Sequence, residues 1–185
     1  MKFIYRAFEE PYPRSWEQDY CDNLTVQEWA AEFPDLFYPG LGFSTRAGTL
    51  DLFAQHALMY LLRKRLEVKS LTWYSLAETN KNSKNQKRTL AAWSTMRKVI
   101  GAEHFSALRT ALLEAGFQGV TGEPDLFCWY PDGSKWFFAE AKRKDKLLDS
   151  QLNWFGVCHK TLGDAADIRV YTLIPEDKLA DEHRP

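Results

Sequence analysis

The chain has 185 residues, of which 45% are hydrophobic, and its formal net charge is -1 because 24 basic residues balance 25 acidic ones. No apolar stretch approaches the ~20 residues that a membrane-spanning helix needs. Because the basic and acidic residues nearly cancel, any surface that binds nucleic acid must be a local cluster of basic residues. The acidic, proline-rich amino terminus differs from a secretion signal, and three cysteines without CxxC spacing favour a reduced compartment, where we expect them buried and unpaired. We therefore expect a soluble, intracellular protein of the cytoplasm, near the nucleoid in a bacterium, with no membrane association.

The amino-terminal segment, residues 1–23, carries prolines and scattered charge but no helical or strand periodicity. It is predicted to be an irregular arm. The remaining length suits one substantial core, which predicts a single domain over residues 24–178 followed by a C-terminal tail at residues 179–185.

Capping signals and apolar residues at helical spacing predict the helices. Thr25 and Glu28 have the spacing of a capping box, ahead of a short helix that should stop near Pro34. A wide apolar stripe that begins at Leu50 predicts the best core helix. The longer predicted helices cover residues 50–66, 90–99, 102–115 and 149–162.

Two segments rich in β-forming residues predict the sheet. Residues 126–142 are centred on the turn sequence Pro-Asp-Gly-Ser at 131–134, which predicts an antiparallel hairpin. Residues 168–174 are suited to a central strand. These elements together predict an α/β domain with a mixed β-sheet flanked by helices.

The hairpin carries residues that suit phosphodiester hydrolysis. Glu140 and Lys142 are two apart on one strand, so their side chains emerge on the same face. If Tyr130 pairs with Lys135, the register sets Asp125 against Glu140. A tighter turn would instead pair Tyr130 with Ser134 and move Asp125 to the opposite face unless a bulge restores it.

Two neighbouring carboxylates repel each other unless a positive group lies between them. A divalent ion, Mg²⁺ or Mn²⁺, bridging Asp125 and Glu140 would keep both ionised, with Lys142 beside it. The alternative is a surface Glu-Lys pair on an edge strand, with Asp125 only capping a turn. The combination of Gly122 and Pro124 before Asp125, the hairpin, and a polar helix start with Gln151 favours the functional interpretation.

Residues 122–155, GEPDLFCWYPDGSKWFFAEAKRKDKLLDSQLNWF, resemble the VRR-NUC branch of the PD-(D/E)xK nucleases. The resemblance implies a restriction-endonuclease-like core. It also implies that Asp125 and Glu140 bind the metal with the backbone carbonyl of Ala141, that Lys142 orients the water or stabilises charge, and that Gln151 assists from the next helix.

Residues 26–119 resemble, more loosely, the segment that precedes the core in the Fanconi-associated nuclease type of this branch. That type implies structure-selective cutting of branched or flapped DNA in repair or recombination. Where relatives place a metal-associated glutamate, this sequence has Ala47, and Asp51 is the nearest candidate to replace it.

Two basic segments are candidates for DNA contact. Lys84, Lys87 and Arg88 lie in a stretch at residues 80–88 without apolar residues, which is either a solvated loop or a DNA-contacting one. Arg143, Lys144 and Lys146 follow the predicted strand and are expected to contact phosphates, although a solvated loop is the alternative. Trp154 is expected to be a core residue rather than a stacking platform.

The sequence therefore predicts a metal-dependent DNA endonuclease. Two alternatives stay open: a catalytically weak or inactive DNA-binding or scaffold domain of the same fold, and a restriction or phage-type nuclease. Besides DNA, the candidate partners are a second copy of the chain or a separate DNA-binding protein.

Overall fold

A computed structural model describes residues 4–37, 49–79 and 86–178 of the chain. Its helices are α1 (Ser15–Cys21), α2 (Leu24–Glu32), α3 (Phe53–Leu66), α4 (Gln86–Ile100), α5 (Ala102–Glu114) and α6 (Asp149–Leu162). Its strands are β1 (Arg6–Tyr12), β2 (Lys69–Leu71), β3 (Leu126–Trp129), β4 (Trp136–Lys142) and β5 (Ile168–Pro175). The strands form one sheet in the order β1-β5-β4-β3-β2, in which β2, β3 and β4 are antiparallel neighbours and β4, β5 and β1 are parallel neighbours.

The β3-β4 hairpin has the register that its turn sequence predicts. The backbone N–H of Tyr130 donates to the carbonyl of Lys135 at 3.0 Å, and Phe127 lies opposite Phe138. The alternative pairing of Tyr130 with Ser134 is therefore excluded. Asp132 Oδ1 instead accepts the Ser134 N–H within the turn, at 2.9 Å.

Side chains that alternate along the strands divide the core between the two faces of the sheet. Cys128 and Phe137 pack with α1, α2 and α3, whereas Phe127 and Phe138 pack with α4, α5 and α6. Trp154 of α6 is 1% exposed and meets the Phe138 ring edge-on, with 5.0 Å between centroids, so its prediction as a core residue is confirmed.

The prediction of an irregular arm at residues 1–23 is wrong for most of that segment. Residues 6–12 form β1, which pairs in parallel with β5 along its whole length, and α1 follows at once. The strand is at the edge of the sheet, where Pro11 and charged residues are tolerated because one side of the backbone needs no partner. The folded unit therefore begins before residue 24.

Two helix starts also differ from expectation. Asn23, with φ of 61°, precedes α2, so Thr25 lies buried inside the helix and does not cap it. Helix α4 begins at Gln86, so Lys87 and Arg88 are helical and not part of a loop. The predicted tail at residues 179–185, the Ala47 position and Lys84 lie outside the described residues.

All three cysteines are free; Cys128 and Cys158 are buried as expected, but Cys21 at the end of α1 is only half-buried. Over residues 4–37, 49–79 and 86–178, every helix is too short or too polar to cross a bilayer.

Candidate metal centre and its cleft

The segment before β3 lies tightly against the start of α6. Gly122 has φ of +71°, and a Cβ at this position would lie 2.3 Å from the carbonyl oxygen of Ser150. Only glycine allows this approach, because any side chain would meet backbone that cannot move independently. The glycine of the GEPD sequence thus places Asp125 next to the first turn of α6.

Backbone N–H groups hold the carboxyl groups of Asp125, which precedes β3, and of Glu140 in β4. The Asp125 backbone N–H donates to Glu140 Oε2 at 3.2 Å, and the Ala141 N–H donates to Asp125 Oδ2 at 2.9 Å. Gln55 of α3 also donates to the Asp125 carbonyl, at 3.3 Å. Both carboxyl groups therefore meet at one place, as the hairpin register requires.

Glu140 is the centre of a buried polar cluster. Its Oε1 atom accepts from Gln151 Nε2 at 2.5 Å and from Lys142 Nζ at 2.9 Å. Glu140, Lys142 and Gln151 are 2%, 7% and 8% exposed. Burial of charged and polar groups costs free energy unless they are hydrogen-bonded, and here every member has a partner.

The two carboxyl groups resist ionisation. Burial, followed by the charge of Glu140, raises the pKa of Asp125 to about 7. Burial also raises the pKa of Glu140, although Lys142 and Gln151 oppose this effect. A cation between the two groups would favour the ionised forms of both.

Lys142 remains an ammonium group. Burial by itself lowers its pKa, but the hydrogen bond with Asp145 and the charge of Glu140 together raise it above the ordinary value. Asp145 Oδ2 accepts from Lys142 Nζ at 2.9 Å. The lysine is thus held between two acids at the end of β4.

These groups open on a cleft with a volume of about 530 Å³. Its lining includes Asp51, Gln55, Asp125, Glu140, Ala141, Lys142, Arg143, Lys144, Asp145 and Gln151. Asp51 is exposed at the rim, two residues before the start of α3.

The donor atoms present suit a hard cation. Mg²⁺ is commonly held by one or two carboxylates, with water completing its shell, and Asp125, Glu140 and the Ala141 carbonyl offer such oxygens. In the part of the chain that the structure describes, no three Asp, Glu, His or Cys side chains are grouped closely enough to hold a metal. Asp51 therefore does not complete a three-carboxylate group with Asp125 and Glu140.

The predicted phosphate-contacting residues have different surroundings. Arg143 packs over the Phe53 ring at 5.5 Å and lies 4.0 Å from Glu17 Oε1, so it is already engaged within the protein. Lys144 is exposed and lines the cleft, Lys146 is exposed two residues further along the chain, and Lys87 is exposed on α4. Arg88 is half-buried, and its Nη2 donates to Thr72 Oγ1 at 3.2 Å.

Sequence reasoning missed three contributors to this site: Asp145, Gln55 and Glu123. Glu123 accepts the backbone N–H groups of Ser75 and Leu76 at 2.8 and 2.7 Å, and burial raises its pKa to about 8. The only signal for Asp145 is its position three residues after Lys142. Neither Gln55 nor Glu123 has a sequence signal, because their partners are remote in the chain.

Comparison of the chain with protein-family models, with curated proteins and with solved structures found no match in any of the three.

Proposed function

We propose that the protein is a Mg²⁺- or Mn²⁺-dependent nuclease of the PD-(D/E)xK class that hydrolyses phosphodiester bonds in DNA. One observation carries the proposal: Asp125 and Glu140, from adjoining strands, meet at one cleft where the Lys142 ammonium lies 2.9 Å from Glu140. Metal-dependent hydrolysis of a phosphodiester uses these groups together, namely acidic oxygens for a hard cation and a positive group for the phosphate.

Asp125, Glu140 and the carbonyl of Ala141 would hold the ion. When bound, the ion supplies positive charge at the phosphate and increases the acidity of water. Lys142 supports the developing negative charge on the phosphate oxygens, since it remains protonated in the cleft. Gln151 keeps the Glu140 carboxylate oriented through its 2.5 Å hydrogen bond.

The proposal includes a restriction-endonuclease-like core for the α/β domain and a cytoplasmic location. Structure-selective cutting of branched or flapped DNA, in repair or recombination, follows from the resemblance of residues 122–155 to VRR-NUC nucleases. The mixed sheet and the position of the three charged groups at the ends of its central strands are compatible with such a core.

The test compares wild type with Asp125→Ala and Lys142→Ala on flapped, forked, four-way and single-stranded DNA. Each substrate is incubated with Mg²⁺, with Mn²⁺ and with chelator. Lys135→Ala is the matched control, because Lys135 is an exposed lysine at the opposite end of β4. We expect metal-dependent cutting by wild type and the control, and a loss of at least ~10²-fold in both site variants.

Equal cutting by wild type and both site variants would identify a contaminating nuclease and contradict the proposal. The alternative is a DNA-binding or scaffold domain without catalysis, which is favoured by the finding that only two carboxylates meet in the described part of the site. DNA binding without cutting under every metal condition would establish that alternative.

A further inference from the structure

The loop after β2 presents an indole ring to solvent beside the cleft. Trp73 is 40% exposed, and its φ of 57° lies in the left-handed region, which a bulky residue rarely adopts. Such backbone strain persists only where surrounding contacts enforce it, and it is concentrated at binding and catalytic sites.

Those enforcing contacts are present, and they connect the loop to the segment that precedes Asp125. The Tyr74 hydroxyl donates to the Pro124 carbonyl at 2.8 Å, and the N–H groups of Ser75 and Leu76 donate to Glu123. On the other side, Trp93 Nε1 donates to the Tyr74 carbonyl at 2.9 Å. The backbone next to Trp73 is therefore tied to the segment that precedes Asp125.

Arg88 lies over this ring, and its side chain is half-buried. Its guanidinium carbon is 5.3 Å from the centre of the Trp73 ring, and its Nε atom is buried without a hydrogen-bond partner. Within residues 4–37, 49–79 and 86–178, no carboxylate pairs with Arg88. A partly desolvated cation without a counter-ion is costly, and a phosphate would relieve that cost.

Trp73 also lines a second, smaller cleft, of about 220 Å³. Its walls are Leu52, Gln55, Trp73, Val120, Glu123, Pro124 and Asp125, and three of these residues, Leu52, Gln55 and Asp125, also line the larger cleft. The two clefts thus adjoin at these residues, which places the small cleft next to a nucleotide held at Asp125.

We propose that this small cleft is a subsite for one unpaired nucleobase, which stacks on Trp73 while Arg88 contacts its phosphate. The inference rests on the proposed nuclease function and adds to it a requirement for a single-stranded or flipped-out nucleotide beside the cleavage position. A base within a duplex is stacked on both faces and cannot enter, whereas an unpaired base has a free face for the indole.

The test measures binding in chelator, so it does not depend on cleavage. A fluorescein-labelled single-stranded oligothymidylate and a blunt duplex are titrated with wild type, Trp73→Ala, Trp73→Phe and Phe8→Ala. Phe8 is the matched control because it is 37% exposed on β1, at the opposite edge of the sheet. We expect Trp73→Ala to weaken single-strand binding about 5- to 150-fold, with Trp73→Phe close to wild type and duplex binding unchanged.

An abasic series locates the stacked base without any change to the protein. Removing the base at one position should weaken wild-type binding as much as Trp73→Ala does, and should have no further effect on Trp73→Ala itself. Arg88→Gln should reduce the slope of log K against log salt by about 0.7, as loss of one single-strand phosphate contact requires.

Three results would each overturn the subsite. Trp73→Ala could bind single-stranded DNA with wild-type affinity, it could lose single-strand and duplex binding equally, or the abasic series could have no effect on wild-type binding. If Trp73→Ala and the abasic position both weaken single-strand binding selectively but wild type cuts no DNA with Mg²⁺ or Mn²⁺, the subsite stands and the nuclease proposal fails. Metal-dependent cutting by wild type without this selective loss of binding overturns the subsite alone.

Discussion

The side chain of Gln151 connects the first turn of α6 to the carboxylate of Glu140. Its Oε1 accepts the Leu148 backbone N–H at 3.0 Å, and its Nε2 donates to Glu140 Oε1 at 2.5 Å. Because a backbone N–H can only donate and a carboxylate can only accept, the orientation of the amide is determined by its two partners. One residue thus stabilises both the helix start and an acid of the candidate metal centre.

Gln151→Ala should therefore lower stability as well as activity. The substitution leaves the Leu148 N–H without its partner and leaves Lys142 as the remaining partner of the buried Glu140 Oε1 atom. This should decrease the free energy of unfolding by about 1–3 kcal/mol. Asn153→Ala is the control, because Asn153 is exposed on the same helix and its loss should change stability by less than about 0.5 kcal/mol. Urea denaturation of the metal-free proteins measures the free energy of unfolding of each variant. If Gln151→Ala were as stable as wild type, the two hydrogen bonds of Gln151 would contribute nothing to stability.

Gly122→Ala should be far more damaging than the same change at Gly119. Both glycines have positive φ, +71° and +58°, but a Cβ at Gly122 would meet Ser150 backbone at 2.3 Å, whereas nothing lies within 4 Å of one at Gly119. Gly119→Ala should cost about 1–2 kcal/mol from backbone strain alone. Gly122→Ala must in addition separate residue 122 from α6, which adds a packing cost of roughly 1–3 kcal/mol.

Thermal melts of both glycine variants supply the comparison, and metal titration of the surviving folded protein shows whether Asp125 has moved. Similar melting temperatures in the two variants would contradict a close contact between Gly122 and Ser150.

The hairpin and its acidic pair were predictable because their determinants are local. A turn sequence at residues 131–134 sets the pairing of the flanking strands, and side chains alternate with a period of two, so the position of Glu140 relative to Asp125 follows from counting. The four longer helices were likewise predictable in number and approximate position from their apolar periodicity.

Features that depend on contacts between distant segments were not predictable. Strand β1 was missed because an edge strand needs neither alternation nor freedom from proline, and only its pairing with β5 identifies it. The partners of Glu123 and the exposed orientation of Trp73 arise from the folding of the loop after β2 against residues 123–124. Contacts of this kind produce no characteristic spacing of residues along the sequence.

Asp125→Asn should stabilise the metal-free protein at high pH. The pKa of Asp125 is raised from 3.8 to about 7 in the folded state, so between these values the folded protein binds more protons than the unfolded chain, and stability falls as pH rises. Asparagine removes this loss while its Oδ1 can still accept from the Ala141 N–H.

The melting temperature of Asp125→Asn in chelator should therefore match wild type near pH 4 and exceed it at pH 8, by about 2–4 °C for each kcal/mol gained. Adding Mg²⁺ or Mn²⁺ should raise the melting temperature of wild type, increasingly as pH passes 7, and should not raise that of the variant. A variant less stable than wild type at pH 8 without metal would show that Asp125 ionises in the folded protein without cost.

Lys144 and Lys146 should control the salt dependence of DNA binding, whereas Arg143 should affect it less. Both lysines are exposed, and Lys144 lines the cleft, but Arg143 lies over Phe53 and near Glu17. Each phosphate contact that releases a counterion contributes about 0.9 to the slope of log K against log salt for duplex DNA.

Lys144→Ala combined with Lys146→Ala should therefore reduce this slope by about 1.8 and weaken binding most at low salt. Titrations of a labelled duplex over a range of KCl concentrations, in chelator, measure the slope for this variant, for Arg143→Ala and for the distant control Lys135→Ala. The control should keep the wild-type slope, because Lys135 lies beside the hairpin turn and not beside the cleft. If Lys135→Ala changes the slope as much as one cleft lysine does, DNA binds by general charge attraction, and the cleft is not where the phosphates lie.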